Sequence, residues 1–176
     1  MKSGFVNIFG KPNAGKSTLL NALIGEKLAI VSHKVQTTRH RIKGILSTAA
    51  YQIIFSDTPG IIEPKYKLHE KMMQAVKGSL EDADVALLIT DINEAPEESH
   101  QIFSALKLKV PAIVVLNKAD KVSEEQQNLV VDFYRKELAA SGWTIDQTAT
   151  VGTNTVISAR KDTRIFGIYI ASVEGG

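Results

Sequence analysis

Apolar segments of strand length alternate with amphipathic segments of helix length along this chain. The strand-length segments are Phe5–Phe9, Ile42–Thr48, Tyr51–Ser56, Val85–Thr90, Ala112–Leu116 and Thr155–Ile157. Several are unbroken apolar runs, Val85-Ala86-Leu87-Leu88-Ile89 among them. Such runs suit strands covered on both faces of a parallel sheet. Only Ala49-Ala50 separates the second segment from the third. A parallel crossover needs about a dozen residues or more, so these two are predicted to form an antiparallel hairpin.

The helical stripes fall between the strands. Lys16–Ile24 is the first. Leu68, Met72, Val76 and Leu80 recur at helical spacing, with Met73 and Ala83 widening the stripe. Gln101–Leu108 carries Ile102, Phe103 and Leu106. Leu129, Val130, Phe133, Tyr134 and Leu138 form a face after Ser123-Glu124-Glu125, which reads as a capped helix start. The pattern predicts an α/β doubly wound domain, its sheet six-stranded and mostly parallel with one antiparallel strand. The segment 161–176 breaks the alternation. Ile165-Phe166-Gly167-Ile168-Tyr169-Ile170 is β-like and glycine-interrupted, so the final covering helix is expected to be missing or replaced. The expected division is a nucleotide domain over residues 1–160 and an atypical tail over 161–176.

Composition narrows the function classes. The 176 residues carry 21 Lys+Arg against 19 Asp+Glu, a net charge of +2. That balance gives no warrant for a chain that coats nucleic acid; any RNA or membrane contact must be local. Cysteine is absent, which removes disulfides, thiol catalysis and Cys-ligated zinc. No apolar run reaches the roughly 18 residues of a membrane span. The N-terminus passes directly into Phe5-Val6-Asn7-Ile8-Phe9 and ends at Gly10-Lys11-Pro12, a strand and not a cleavable leader.

The chemistry begins at that strand's end. Gly10-Lys11-Pro12-Asn13-Ala14-Gly15-Lys16-Ser17 fits G-x-x-x-x-G-K-[ST] between a strand and a helix. Glycines let backbone N–H groups curl round a phosphate, and the helix N-terminus adds partial positive charge. Lys16 is placed to reach the β/γ-phosphates and the Ser17 hydroxyl to ligate Mg²⁺; Ala14 and Thr18 complete this part of the set. Asp57-Thr58-Pro59-Gly60 closes the third strand. Alone it would read equally well as a turn. After a phosphate loop, Asp57 is expected to hold Mg²⁺ through water, and the Gly60 N–H to meet a γ-phosphate. Asn117-Lys118-Ala119-Asp120 follows the fifth strand. The Asp120 carboxylate can accept from guanine's N1–H and exocyclic amine, whereas adenine would leave it facing a lone pair. Asn117 would brace the loop, Lys118 lie along the base, and Ser158-Ala159 offer an N–H to guanine O6. An ATP site is the competing reading, which Asp120 opposes.

Four stations in this order resemble those of the P-loop GTPases, and Gln36-Thr37-Thr38-Arg39-His40-Arg41 resembles the first switch of the Era family in particular. The Der and MnmE groups carry a Gly-x-Thr-Arg-Asp form there instead. The resemblance covers about residues 4–160 and extends to Lys67-Leu68-His69 and Ser79-Leu80-Glu81-Asp82-Ala83-Asp84. It implies that Thr38, with Thr37 as the alternative, completes the Mg²⁺ shell and that Asn13 helps bind K⁺. It implies catalysis through Lys16, Thr38 and Gly60, with slow turnover because Ile61 and Ile62, not glutamine, follow Gly60. It further implies a GTP/GDP switch in ribosome biogenesis, with the small ribosomal subunit and its 16S rRNA as partners. A monomer in the cytoplasm is expected, and the resemblance allows peripheral contact with the inner membrane face. Era proteins bind RNA through a KH domain with a Gly-x-x-Gly loop. These residues contain no such loop, so direct RNA binding is not expected of them. A guanine-nucleotide module that binds without hydrolysing is the alternative from another class.

Overall fold

A computed structural model describes residues 2–27, 42–61, 76, 78, 82–106, 108–140, 142, 144–151, 154–161 and 164–170. The described strands are β1 (Lys2–Phe9), β2 (Ile42–Ser47), β3 (Tyr51–Asp57), β4 (Val85–Asp91), β5 (Ala112–Asn117), β6 (Thr144–Val151), β7 (Asn154–Lys161) and β8 (Arg164–Ile170). The described helices are α1 (Lys16–Ile24), α2 (Pro96–Ala105) and α3 (Glu124–Ala140), with a 3₁₀ turn at Ala119–Lys121. All strands join one sheet in the order β2-β3-β1-β4-β5-β8-β7-β6.

The predicted hairpin is present. β2 and β3 are antiparallel from Ile42↔Asp57 to Ser47↔Gln52. Its corner is tied by Thr48, whose hydroxyl accepts the N–H groups of Ala50 and Tyr51 at 3.3 and 3.1 Å. β3, β1, β4 and β5 then run parallel. Alternate residues of these strands serve opposite faces. Ile8, Phe55, Ile89 and Val115 pack with Leu19 and Leu20 of α1. Phe9, Leu88, Val114 and Leu116 pack with Phe103 of α2 and with Val130, Val131 and Tyr134 of α3. Burying each large aliphatic or aromatic side chain contributes about 1.5–3 kcal/mol. That burial fixes the register that brings the C-terminal ends of the strands together.

Several expectations need correction. Among the described residues the sheet has eight strands, not six. The place beside β5 belongs to β8, parallel to it from Ala112↔Phe166 to Leu116↔Ile170. The predicted strand Thr155–Ile157 lies within β7, one position further out and antiparallel to both neighbours. More than one strand is therefore antiparallel. The covering helix is replaced, among the described residues after α3, by this three-stranded meander. Residue 160 lies within β7, and β8 is in the same sheet as β1. The helix predicted at Gln101–Leu108 starts earlier, at Pro96, with Pro in the first turn and Glu97 and Glu98 at its positive end. Leu129, assigned to the buried face of α3, is exposed. Of the stripe Leu68–Leu80, only Val76 and Gly78 are described; both are helical, and Val76 is buried.

Candidate nucleotide-binding site

The strand β1 ends at Phe9, and the chain turns through Gly10–Gly15 into α1. Two glycines are demanded by close approach. A Cβ at Gly10 would stand 2.2 Å from the Ile89 carbonyl oxygen, and one at Gly15 2.2 Å from Asn117 Nδ2. Gly15 also has φ 102° and Asn13 φ 62°, both in the left-handed region. The loop thus runs close to β4 and Asn117 and leads into the N-terminus of α1, where the helix dipole is positive.

Lys16 is 6% exposed and donates from Nζ to the Lys11 carbonyl at 2.8 Å. Burial lowers its pKa to about 8, against the opposing pull of Asp57. The Ser17 hydroxyl donates to Asp57 Oδ2 at 2.6 Å. Asp57 is fully buried at the end of β3, where it pairs with Ile42 and Ile8 across the ladders. These oxygen donors suit a hard divalent cation such as Mg²⁺. Thr58 anchors the next turn by donating from Oγ1 to the Ile8 carbonyl at 2.7 Å. Gly60 lies against the loop, where a Cβ would meet Pro12 at 2.8 Å, and the Ile61 N–H donates to the Gly10 carbonyl at 3.0 Å. Thr38 and Thr37 lie outside the described residues.

Asn117 ends β5 and ties the base loop to the phosphate loop, donating from Nδ2 to the Ala14 carbonyl at 3.0 Å. Lys118 has φ 62° and reaches Asp91 Oδ2 at 2.6 Å. Asp120 is half exposed and contacts Lys121 at 3.2 Å. Thr18 is half-buried in the first turn of α1, and Asn13 is exposed. Lys16, Ser17, Asp57, Gly60, Asn117 and Asp120 therefore stand at the C-terminal edge of the parallel strands, where α/β folds bind ligands.

Ser158 and Ala159 do not join them. Ser158 is level with Gly167 and hence with Ile113; Ala159 is level with Phe166 and hence with Ala112. That is the opposite end of β5 from Asn117, about 13–16 Å away at strand rise. The expected guanine O6 contact from Ser158-Ala159 is corrected accordingly. Conversely, Lys11, held 2.9 Å from both Glu94 and Glu98, and Asp91 were not singled out from the sequence. Lys11 stands at an unspecified position of the loop motif, and its partners are 83 and 87 residues away, so no local signal marks the cluster.

Asn117 makes the loop intolerant of bulk. Gly15→Ala is expected to displace the Asn117 amide and destabilise the fold by about 1–3 kcal/mol through left-handed strain and overpacking. Urea midpoints check this; an unchanged midpoint contradicts the packing described.

Fold and site define a P-loop nucleotide-binding domain. Residues 5–118 match the model of the family described as 50S ribosome-binding GTPase. The chain belongs to that family. A second model, described as START domain-like, matches residues 118–176, the C-terminal third. GTPase Era of Clostridium acetobutylicum is 49% identical over 127 residues, 71% of this chain and 43% of the relative. GTPase Era of Heliobacterium modesticaldum is 44% identical over 141 residues, 79% of this chain and 47% of the relative. A crystal structure of Era with MgGDPNP and nucleotides of 16S ribosomal RNA superposes with a TM-score of 0.73 at 44% identity, covering 78% of this chain and 48% of that one. A variant of Aquifex aeolicus Era bound to GDP·AlF4⁻ gives 0.74 at 43% identity, covering 80% and 49%. The chain thus spans about half the length of the relatives it matches.

Proposed function

We propose that this chain binds GTP and GDP with Mg²⁺ and hydrolyses GTP, as a molecular switch serving small-subunit ribosome assembly. The observation that carries the reading is the convergence of Lys16, Ser17 and Asp57 on one crevice, tied by Asn117 to the base loop. On binding, Lys16 Nζ exchanges the Lys11 carbonyl for the β/γ-phosphate oxygens, and the amides of Asn13–Ser17 surround the β-phosphate. Ser17 and Thr38 would hold Mg²⁺ directly and Asp57 through water. The ion would neutralise charge developing on the phosphates. Water attacks the γ-phosphorus in line, with the Gly60 N–H and Lys16 stabilising the transferring group. No side chain at Ile61 can orient that water, so turnover is slow. Asn13 is the residue through which K⁺ would supply further positive charge. Asp120 and Lys118 select guanine; Gly10, Ala14, Gly15 and Thr18 shape the phosphate cradle.

The ribosomal role, with 16S rRNA as partner, is carried over from Era, one structure of which holds that RNA. No helix among the described residues is long and apolar enough to cross a membrane. A cytoplasmic monomer, with at most peripheral membrane contact, is the matching proposal.

One experiment tests the core of this. GTP·Mg²⁺ is expected to raise the melting temperature, and phosphate release is expected to be slow and faster in K⁺ than in Na⁺. Stabilisation without release would make the chain a binding module, and no stabilisation would overturn the nucleotide site. Equal rates in the two salts would remove Asn13's assigned role.

A further inference from the structure

The base loop contains a non-glycine residue in an unusual conformation. Lys118 has φ 62°, a region that L side chains rarely adopt. Such a residue persists where its surroundings over-determine it. The surroundings here come from the end of β4. Lys118 Nζ stands 2.6 Å from Asp91 Oδ2. The other carboxylate oxygen, Oδ1, accepts the Asn93 N–H at 3.0 Å and the Asn93 side-chain amide at 2.8 Å. Asn93 therefore holds one carboxylate oxygen twice and leaves the other turned to Lys118. Asp91 also lies directly opposite Asn117 in the β4–β5 ladder, and the Ile92 N–H donates to the Asn117 carbonyl at 3.0 Å. The loop then continues from Lys118, whose carbonyl accepts the Lys121 N–H at 3.0 Å, through Asp120. The first two residues of the guanine-reading segment, Asn117 and Lys118, are thus hung on the Asp91–Asn93 turn.

We infer that Asp91 is a positioning residue for guanine: by anchoring the Lys118 side chain it sets the orientation of the Asn117–Asp120 loop. This rests on the GTP reading above. Burial would raise the Asp91 pKa, but the Lys118 and Asn93 contacts outweigh it and hold the group below the usual carboxylate range. The anchor is therefore charged throughout the neutral range and holds the partly exposed Lys118 side chain at the end of β4.

The role predicts a split that a merely structural residue would not produce. Asp91→Asn keeps the shape and an acceptor for Asn93 but removes the charge that holds Lys118. The expected result is GTP affinity weakened about 10-fold, the range for losing a charge-assisted hydrogen bond. The maximal rate stays within about twofold, and binding of Mg²⁺·tripolyphosphate, which has no base, is unchanged. Lys118→Met is expected to weaken GTP, and adding Asp91→Asn to it should cost nothing more. Equal GTP affinity in Asp91→Asn and wild type overturns the inference, as does parallel loss of tripolyphosphate binding or a double variant whose losses add. Wild type that fails to bind GTP sinks the functional reading itself and the inference with it; the other outcomes leave that reading standing.

Discussion

Lys16→Ala is expected to abolish GTP·Mg²⁺ binding at micromolar concentrations while leaving a folded protein. The Lys16 ammonium is 6% exposed and holds only a backbone carbonyl and the nearby Asp57 for compensation. Burial puts its pKa at about 8 instead of the ordinary 10.5. Between those values the unfolded chain binds the proton more readily than the folded one, so stability without nucleotide rises as pH climbs from about 8 to about 10.5. A shift of that size corresponds to about 3 kcal/mol. Removing the ammonium removes the burial penalty that wild type carries at pH 7 and with it the pH-dependent gain. The variant without nucleotide should therefore melt at or above wild type at pH 7 and lack the alkaline rise. Nucleotide has the opposite requirement, because phosphate needs the charged form, and wild-type affinity should fall above about pH 8. Breaking one side of such a buried charge contact costs about 3–5 kcal/mol, or at least about 10²-fold in affinity. Calorimetric titration and melting across pH measure both; retained affinity would sink the assignment of Lys16.

Asp120→Asn is expected to reverse base preference. The wild-type carboxylate only accepts, matching the two donors on guanine's edge. An amide accepts at one atom and donates at the other. Xanthine presents N1–H and a C2 carbonyl, which is the complement of that pair. GTP binding should drop by about 10²–10⁴-fold, the cost of leaving polar groups of a hydrogen-bonding site mismatched. XTP should bind in its place with affinity approaching that of GTP for wild type. The Asp120 side chain is half exposed and meets Lys121 at the surface, where an ion pair contributes little to the fold, so melting should be nearly unchanged. Competition between the two nucleotides decides it; a variant that still prefers GTP would leave the base site elsewhere.

Much of this site was legible because its signals are local. The loop from Gly10 to Ser17 is a contiguous motif, and the Asp57 and Asn117–Asp120 stations each end an apolar run that had to be a strand. The register that joins them follows from burial on both faces of β1, β4 and β5. What escaped depends on partners far apart in sequence. Asp91 and Lys118 are 27 residues apart, and Lys11 and Glu98 are 87 apart; each pair meets only after β4 and β5 lie beside β1. The strand beside β5 was not legible for another reason. Thr155-Val156-Ile157 and Ile168-Tyr169-Ile170 have the same β-favouring composition, and such propensity does not say which strand a neighbour accepts. Only the return of the chain through β6 and β7 puts β8 in that place, and it carries Ser158-Ala159 away from the base.

The placement of β8 also has a consequence for the newborn chain. The phosphate and base loops lie within residues 10–120 and leave the ribosome well before Arg164–Ile170. Until β8 arrives, Ala112–Asn117 is a border strand with unpaired amides on its outer side. Its Ile113-Val114-Val115-Leu116 stretch is a short, uncharged, β-branched template for joining another chain. Synthesis therefore passes through a period in which the phosphate loop and the base loop are already made and the sheet is still adhesive. Chaperone shielding during that interval, more than the stability of the finished sheet, would govern how much of the protein escapes aggregation.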